Sequence, residues 1–498
     1  MDRRRFLQSS LAAGMTAALP ASEAYAALQA LTQVSGDIRA VTGDRKEISL
    51  EQAAVQELAD SLHGRVLLPG NDGYDIARRV LNASIDKHPA LIVQPSVAAD
   101  IQNAVTFARE RNLLLAVKCG GHSYAGKSTC DHGMQIDLST YRHCRVDPRS
   151  RTAYVAGGSL LGELDHEAMA HGLVTTAGTV SHTGVGGLTL GGGFGRLARR
   201  FGLALDNLKA VDIVTADGRL LHASADENPD LFWAVRGGGG NFGVVTSFEF
   251  HLHPMQRTVV GGEMIWPLEK AREVLRFYAD FALDAPDELY CDAYMQATMT
   301  GEGNGVGLHV CYSGPESEAE KVLAPIKKLG DPVLNTVAAV DYVAIQKSWD
   351  NSDPRNTGEY LKSGFINDFP QSIADALIDG FDADPGRNTT VFFQHSGGAI
   401  GRVPVEATAF AHRKSQANMF AVVSWPLDAD RTPHVDYVRS YWKELEAATD
   451  GYYTNEVASE PQAQVNKNYQ GNFPRLLQVK KKYDPDNLFR LNANIAPA

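Results

Sequence analysis

Three glycine-rich segments have residue types and spacings that bind phosphate groups in other proteins. Residues 121–128 fit the phosphate-loop pattern G-x-x-x-x-G-K-S, and residues 238–243 fit the dinucleotide pattern G-x-G-x-x-G. A phosphate loop runs directly into a helix, but here a turn-like stretch and a predicted strand follow. The second motif stands after a predicted short helix and before a strand, the reverse of the order in a nicotinamide-binding unit. Both nucleotide hydrolysis and a nicotinamide site are therefore disfavoured.

The third segment, residues 183–195, has seven glycines in thirteen positions. Such a density weakens helices and strands, so it is useful where the backbone approaches another group closely or adopts a positive φ. Together with Gly120 and Gly121, this segment can supply two rows of backbone N–H groups that converge on a pyrophosphate. A tight loop packed on its own domain is the alternative, and composition alone does not decide between them.

The composition is that of a large soluble protein that acts on a small organic molecule. The chain has 498 residues, 44% of them hydrophobic, which is enough to fill the cores of two or three domains. Its net charge is −12, and an acidic surface repels nucleic acid phosphates and anionic lipids. We therefore expect no nucleic acid partner and no membrane insertion of the processed protein.

Cysteine usage predicts neither a disulfide scaffold nor a metal site. The five cysteines are scattered and none forms a C-x-x-C pair. A single disulfide between Cys130 and Cys144 is compatible with the sequence.

Residues 1–26 are predicted to be an export signal of the twin-arginine type. Arginines at positions 3–5 precede Phe6 and Leu7, then a short apolar stretch and a small-x-small site at residues 24–26. The twin-arginine pattern serves proteins that cross the membrane already folded, often with a cofactor in place. An ordinary secretion signal or a disordered tail is the alternative. The prediction places the protein in the periplasm or outside the cell.

The elements that position these motifs form two regions of α+β type. From residue 89 to residue 254, short β-branched strands alternate with glycine-rich turns, and Asp217-Gly218 marks a hairpin. From residue 266 to residue 450, amphipathic helices alternate with strands. The helices predicted there span residues 268–283, 316–329 and 434–448. A tail with a helix near residues 472–483 is too small to fold alone, so we expect it to pack on the first region.

Several longer segments form a pattern that is more specific than any single glycine motif. In chain order they are residues 118–123, 183–195, 200–207, 230–243, 397–413, 468–472 and 482–489. Their sequences and order resemble the berberine bridge enzyme-like branch of the vanillyl-alcohol oxidase flavoproteins, from about residue 68 to residue 498. The resemblance implies an α+β, two-domain PCMH-type FAD-binding fold, with a substrate domain built on an antiparallel sheet flanked by helices.

The same resemblance implies a division of the chain after the export signal. Residues 27–254 are expected to form the FAD-binding domain, with a PCMH-type core over about 87–254. Residues 255–450 are expected to form the substrate-binding domain. Residues 451–498 are expected to be a berberine-like segment that returns to the FAD domain.

The resemblance also implies a bound FAD with a single covalent link, through His122. His122 matches the histidine that these enzymes join to the flavin 8α carbon, and a neutral imidazole is nucleophilic. Many relatives add a second link through a cysteine, but Val180 stands at that position, and Cys119 is expected to be an inert thiol. The other residues expected to bind FAD are Lys118, Gly120, Gly121, Ser123, Ser128, Gly178, Thr179, Thr183, Gly184, Gly187, Gly192, Gly193, Asn207, Val245 and Asn455.

Tyr453 and Glu456 are the candidate catalytic residues. Tyr453 matches the family's Tyr-x-Asn element, and to act as a base it needs a pKa below the usual value of about 10. A cavity-lining aromatic is the alternative. Glu456 stands where relatives commonly have a second tyrosine, and its carboxylate can act as a base, bind a cationic amine or point to solvent. Gln394 and His395 are weaker candidates for the roof of the substrate cavity.

These features together predict an FAD-linked oxidase or dehydrogenase. It would remove a hydride from a CH–OH or CH–NH group of a small organic substrate. Thr183 stands where relatives usually have valine or isoleucine, a position associated with dioxygen access to reduced flavin. We expect an oxidase that forms hydrogen peroxide. A dehydrogenase with a non-oxygen acceptor, or an exported protein that binds flavin or a small molecule without catalysis, are the alternatives.

Overall fold

The computed structural model describes residues 34–352, 355–369, 371–458 and 460–497, and the predicted export signal lies outside them. Two main sheets, two two-stranded sheets and their helices make up the first region, and one large antiparallel sheet with its helices makes up the middle region. The predicted α+β fold class is therefore confirmed. Within the described residues, no helix combines the length and apolarity that crossing a bilayer requires.

The first region contains a mixed sheet and an antiparallel sheet. Its strands are β1 (Ile38–Val41), β2 (Glu47–Leu50), β3 (Arg65–Leu67), β4 (Leu91–Gln94), β5 (Leu115–Lys118), β6 (Met134–Asp137), β7 (Cys144–Asp147), β8 (Thr152–Ala156), β9 (Leu173–Val174), β10 (Leu208–Val214), β11 (Leu220–Ser224), β12 (Val244–His251) and β13 (His253–Pro254). Its helices are α1 (Gln52–Asp60), α2 (Tyr74–Arg78), α3 (Ala98–Glu110), α4 (Leu161–Met169), α5 (Val185–Gly191), α6 (Ala198–Phe201) and α7 (Pro229–Val235). The mixed sheet has the order β3-β4-β6-β5, with β4 and β5 parallel to β6, and the antiparallel sheet has the order β11-β10-β12-β8-β7.

Local sequence explains how these elements start and turn. Helix α3 begins after the extended residue Val97, and the buried Asp100 carboxylate accepts hydrogen bonds from the backbone N–H groups of Val97 at 3.2 Å and Ser96 at 2.8 Å. This carboxylate satisfies donors that a helix start leaves unpaired. The hairpin predicted at Asp217-Gly218 joins β10 to β11, with Gly218 at a φ of +80° that favours glycine.

The middle region is built on one antiparallel sheet of order β17-β14-β16-β15-β20-β21-β19, with β18 also paired to β14. Its strands are β14 (Thr258–Trp266), β15 (Leu289–Ala297), β16 (Gly305–Tyr312), β17 (Leu334–Asn335), β18 (Ala338–Asp341), β19 (Thr357–Ile366), β20 (Asn388–His395) and β21 (Ala417–Pro426). Its helices are α8 (Ala271–Leu283), α9 (Glu316–Leu323), α10 (Tyr342–Gln346), α11 (Gln371–Asp379), α12 (Ala399–Arg402) and α13 (Thr432–Leu445).

One predicted helix of the middle region is shorter than expected. The helix predicted over residues 316–329 ends at Leu323 and continues as a 3₁₀ turn over Ala324–Leu329. Pro325 has no backbone N–H to donate and its ring crowds the preceding turn, so the α-helix cannot continue through it.

The two faces of the large sheet have different neighbours. Ala293, Phe393 and Met419 share one face by their cross-strand register and pack with helix α8 in a buried core. Alternation along each strand places their sequence neighbours on the opposite face. That opposite face covers a cavity above the first region.

The tail, with α14 (Gln462–Asn468) and α15 (Phe473–Tyr483), packs on the first region. Asn241, from the G-x-G-x-x-G motif, donates a side-chain hydrogen bond to the Ala493 carbonyl at 3.0 Å and accepts one from the Ile495 N–H at 3.1 Å. The fully buried Lys480 ammonium pairs with Asp484 at 2.6 Å and donates to the Asn241 carbonyl. The motif thus anchors the tail by hydrogen bonds.

The disulfide left open between Cys130 and Cys144 does not form, because all five cysteines are free. Cys130 packs against Leu114 and Ala116 beside the mixed sheet, whereas Cys144 belongs to β7 of the antiparallel sheet. The two thiols therefore lie in different layers of the first region.

Candidate active site

A cavity of about 840 Å³ lies between the first region, the large sheet and the tail. Its volume falls in the range of about 300–1,000 Å³ that is usual for cofactor and ligand sites. The predicted FAD-binding residues that line it are Gly120, Gly121, His122, Ser123, Ser128, Gly178, Thr179, Thr183, Gly184, Gly187, Val245 and Asn455. The structure thus brings together segments that are far apart in the sequence.

The floor of the cavity is formed where two glycine segments meet. A Cβ atom on Gly120 would lie 2.3 Å from the Gly184 nitrogen, and one on Gly184 would lie 2.4 Å from the Gly120 nitrogen. The close approach predicted for these glycines is therefore confirmed. Half of the run, however, forms the short helix α5 rather than a loop, and the positive φ is confined to its end, for example +94° at Gly193.

Hydrogen-bond donors without protein acceptors surround this floor. Within the described residues, the backbone N–H groups of Gly121, His122 and Ser123 donate to no protein atom, and the buried Ser128 hydroxyl has no partner. Convergent amide and hydroxyl donors suit the oxygens of a phosphate group. A dinucleotide such as FAD therefore fits the donor set of this floor.

His122 lies in this floor beside a second histidine. Its Nε2 lies 2.8 Å from Nδ1 of His182, and its Nδ1 lies 3.3 Å from the Thr183 hydroxyl. Burial, together with the adjacent His182 and Arg355, lowers the pKa of His122 to about 3. The imidazole is therefore neutral at pH 7, which is the form that a covalent link to flavin requires.

Four predicted FAD-binding residues are not among those that line the cavity, and their contact with the cofactor stays a prediction. The Lys118 ammonium donates to the Ala77 carbonyl and pairs with Asp137 at 3.5 Å. The Asn207 amide donates to the carbonyls of Phe201 and Leu203. Lys118 thus joins β5 to α2 and β6, and Asn207 braces the segment that follows α6.

The other two are Gly192 and Gly193, which contact the Tyr453 ring instead of the cavity. A Cβ atom on Gly192 would lie 2.8 Å from the Tyr453 ring, and the Gly193 N–H donates to the Tyr453 hydroxyl at 2.8 Å. The end of the glycine run is thus packed against the tail.

The Tyr453 ring packs in an apolar cluster, and its hydroxyl accepts hydrogen bonds from protein donors. Its hydroxyl also accepts a hydrogen bond from the Asn455 amide at 2.9 Å, and its ring lies edge-on to Phe194 at 5.2 Å. Burial raises the pKa of Tyr453 well above its usual value. A tyrosine that acts as a base at neutral pH needs a lowered pKa, so this geometry does not favour the predicted role of Tyr453 as a base.

Glu456 lines the cavity and is held by two side-chain amides. Its carboxylate accepts hydrogen bonds from Gln394 at 2.9 Å and from Asn418 at 2.7 Å. Burial raises the pKa of Glu456 to about 7, although the two amides oppose the shift. The alternative in which Glu456 points to solvent is therefore wrong. A carboxylate that titrates near neutral pH has the acidity of an efficient general base.

The large sheet supplies the roof of the cavity through alternate residues of five strands. Roof residues with aromatic or acidic side chains are Glu263, Tyr294, Glu359, Phe392 and Phe420, and Trp349 joins them from the segment after α10. Gln394 lines the roof as predicted, but His395 does not, because alternation turns it to the other face, where Nε2 lies 2.9 Å from the Ala282 carbonyl. The aromatic roof residues were not identified from the sequence, because strands buried on both faces show no alternation of polarity.

Comparison with known families and proteins gives a consistent result. Residues 89–224 match the FAD binding domain family, and residues 452–496 match the berberine and berberine-like family. An FAD-linked oxidoreductase of Dictyostelium discoideum is 34% identical over 89% of this chain and 97% of its own length. The (R)-6-hydroxynicotine oxidase of Paenarthrobacter nicotinovorans is 30% identical over 88% of this chain and 97% of its own length.

Solved structures show the same relationship. The glucooligosaccharide oxidase of Acremonium strictum superposes with a TM-score of 0.81 at 25% identity, covering 89% of this chain and 99% of that one. Its FAD is described as 6-S-cysteinyl, 8α-N1-histidyl.

Proposed function

Because the chain belongs to the berberine bridge enzyme-like FAD-linked oxidoreductases, we propose that it removes a hydride from a CH–OH or CH–NH group of a small organic donor. Glu456 accepts the proton that leaves the donor's oxygen or nitrogen. Dioxygen is the electron acceptor, so hydrogen peroxide is the second product. The names of two related proteins, a nicotine oxidase and an oligosaccharide oxidase, support this choice of reaction class.

The observation that carries the proposal is the placement of Glu456. It is a half-buried carboxylate on the cavity wall, with both oxygens held by amides and a pKa raised to about 7. A base whose pKa lies near the working pH is the most efficient acceptor of the proton from a donor hydroxyl or amine. General base catalysis contributes about 100- to 10,000-fold to the rate of such steps. Fixed amides also keep the carboxylate in one orientation while the proton moves.

The floor residues hold the cofactor in this proposal. The backbone amides of Gly121 and Ser123 with the Ser128 hydroxyl bind its phosphates, and His122 provides one covalent link. Bound FAD supplies the two-electron acceptor for the donor's C–H bond. Val180 stands where relatives have a second attachment cysteine, so His122 remains the single link.

We propose further that the protein is exported in a folded state, on the strength of residues 1–26 alone. Mass spectrometry of the N-terminus after expression in a bacterium with a twin-arginine pathway tests this. Cleavage near residue 26 supports export, and an intact N-terminus in a periplasmic or secreted fraction contradicts the assigned signal.

Absorbance spectroscopy of the purified protein tests the proposed reaction. We expect a band at about 450 nm that stays with the protein after acid precipitation and bleaches anaerobically when a donor is added. Readmitted air should restore the band with one hydrogen peroxide per donor. A stable band that no alcohol or amine bleaches would favour a binding protein, and bleaching without reoxidation by air would favour a dehydrogenase.

A further inference from the structure

Three aromatic rings from neighbouring strands form a continuous stripe on the cavity roof. Tyr294 of β15 is the cross-strand partner of Phe392 of β20, which is the partner of Phe420 of β21. The Tyr294 and Phe392 rings are 14° from parallel at 6.3 Å, and the Phe392 and Phe420 rings are 26° from parallel at 5.1 Å. We call Tyr294, Phe392 and Phe420 the roof stripe. It offers one broad apolar surface to a flat ligand.

Trp349 closes one side of the roof stripe. Its ring lies 5.4 Å from the Phe392 ring at 82°, so it stands nearly perpendicular to the stripe. Both residues line the cavity. A planar ring in this corner can stack on the stripe and meet Trp349 at its edge, which are the two geometries that aromatic pairs prefer.

Carboxylates border the roof stripe. The Tyr294 hydroxyl donates to the Glu263 carboxylate at 2.8 Å, which fixes one acid at the Tyr294 end. Gln394, which binds Glu456, is two residues after Phe392 on the same strand and face, about 7 Å away. A second acid, Glu456, therefore lies alongside the stripe near Phe392, its middle member.

The charges that face the cavity are unequal in number. Its described lining residues include three glutamates, Glu263, Glu359 and Glu456, and Lys127 is the one lysine or arginine among them. His122 adds no charge at pH 7, since its pKa is about 3. This imbalance favours a ligand with a positive charge.

Three polar side chains of the roof already bond to protein atoms. Asn388 donates to the Ser424 hydroxyl at 3.0 Å, Gln296 donates to the Gly303 carbonyl at 2.6 Å, and Thr298 donates to the Glu302 carbonyl at 2.9 Å. A polyhydroxylated ligand needs many free donors and acceptors at its hydroxyl groups. This roof therefore suits an apolar ring better than a sugar.

We propose that the donor is an aromatic amine whose ring stacks on the roof stripe and whose basic nitrogen faces Glu456. This inference rests on the proposed function and specifies its substrate class. The ammonium form gives one N–H proton to the Glu456 carboxylate. The C–H bond next to nitrogen then breaks, its electron pair leaves as hydride to oxidised FAD, and a C=N bond forms, so the product is an iminium ion that water can hydrolyse.

Binding of matched probes to the holoprotein tests the inference independently of turnover. The probes are N-methylbenzylamine, its neutral isostere benzyl methyl ether, its non-aromatic analogue N-methylcyclohexanemethanamine, and cellobiose. At about pH 8 the amines are cationic and Glu456 is mostly ionised. We expect N-methylbenzylamine to bind at least about tenfold more tightly than each of the others, as measured by titration calorimetry or flavin difference spectra.

Two variants assign the preference to the residues named here. Glu456→Gln should bring the amine-to-ether affinity ratio close to one, and Phe420→Leu should reduce the preference for the benzyl over the cyclohexyl amine. Glu320→Gln removes one charge at an exposed pair with Lys327 and should change neither ratio.

The outcomes separate this inference from the proposed function. Equal affinity of the amine and the ether in the unmodified protein, or tighter binding of cellobiose, would overturn the aromatic amine. If a neutral alcohol reduces the flavin in that case, the proposed reaction stands without the amine. If the amine preference is found but no donor of either class reduces the flavin, the proposed reaction fails and the binding preference stands.

Discussion

The Glu456 carboxylate accepts a hydrogen bond from the Gln394 side chain at 2.9 Å, which joins the tail to the large sheet at the cavity wall. The base is thus fixed by an element other than its own. Since Asn418 donates to both Glu456 and Gln394, the three side chains form a closed hydrogen-bonded group. Their arrangement leads to the first predictions.

Replacing the Glu456 carboxylate by an amide should remove the base and keep the shape of the side chain. We expect Glu456→Gln to slow anaerobic flavin reduction by about 100- to 10,000-fold, while the amount of bound flavin stays unchanged. Stopped-flow absorbance at about 450 nm measures the rate. Glu456→Asp should retain more activity than Glu456→Gln. Reduction of the Gln variant at the rate of the unmodified protein would exclude Glu456 as the base.

The rate of flavin reduction should depend on pH in a particular direction. The base acts when ionised, so the rate should rise with pH below about 7 and level off above it, following the raised pKa of Glu456. The same profile in Gln394→Leu should be displaced to higher pH, since that variant loses an amide that favours the charged form. Rates measured at saturating donor across the pH range check both expectations. A profile unchanged in Gln394→Leu would assign the titration to another group.

Substitution of Tyr453 should affect stability more than chemistry. Tyr453→Phe leaves the Gly193 N–H and the Asn455 amide without their buried acceptor, which costs about 1–3 kcal/mol of unfolding free energy. We expect a lower melting temperature and a flavin reduction rate much closer to that of the unmodified protein than in Glu456→Gln. A loss of rate as large as that of Glu456→Gln, without loss of stability, would restore Tyr453 as the base.

Removal of the imidazole should release the cofactor on denaturation. We predict that in His122→Ala the flavin is extracted by acid, while the fold persists because no core residue is lost. His182→Ala is the matched control, since it removes the neighbour at 2.8 Å but not the predicted attachment atom. Acid precipitation followed by absorbance of the supernatant distinguishes the two. Flavin that stays with the His122→Ala pellet would place the link elsewhere.

The interface between the first region and the middle region should depend on a buried ion pair. The Arg413 guanidinium donates to both Asp206 oxygens, at 2.7 and 2.8 Å, and both side chains are nearly inaccessible. Asp206→Asn leaves a buried cation without its counter-charge, so we expect a loss of about 3–5 kcal/mol in unfolding free energy. Denaturant unfolding checks this. Asp217→Asn, at an exposed pair, should cost less than about 1 kcal/mol.

The sequence was sufficient for the fold class and for the floor of the site. Contiguous motifs carry that information, because the family resemblance that implies roles for Gly120, Gly184 and His122 rests on segments that can be read directly from the chain. The floor could therefore be predicted before any contact was known.

The roof could not be predicted in the same way. Tyr294, Phe392 and Phe420 meet only through the register of three strands, and nothing local to any one of them reveals that register. The pKa of Glu456 was equally hidden, since it depends on burial by residues far away in the chain. The resemblance implied that Asn207 and Lys118 bind the cofactor, whereas in the structure their side chains bond to neighbouring protein elements.

The anchoring of the tail by Asn241 has a consequence for biosynthesis. Leu491, Asn492 and Ala493 form part of the cavity wall, and Asn241 holds this stretch in place. A nascent chain still on the ribosome without these residues has an open-sided pocket. Flavin acquisition must therefore be a late event in maturation, after translation of the last wall residues.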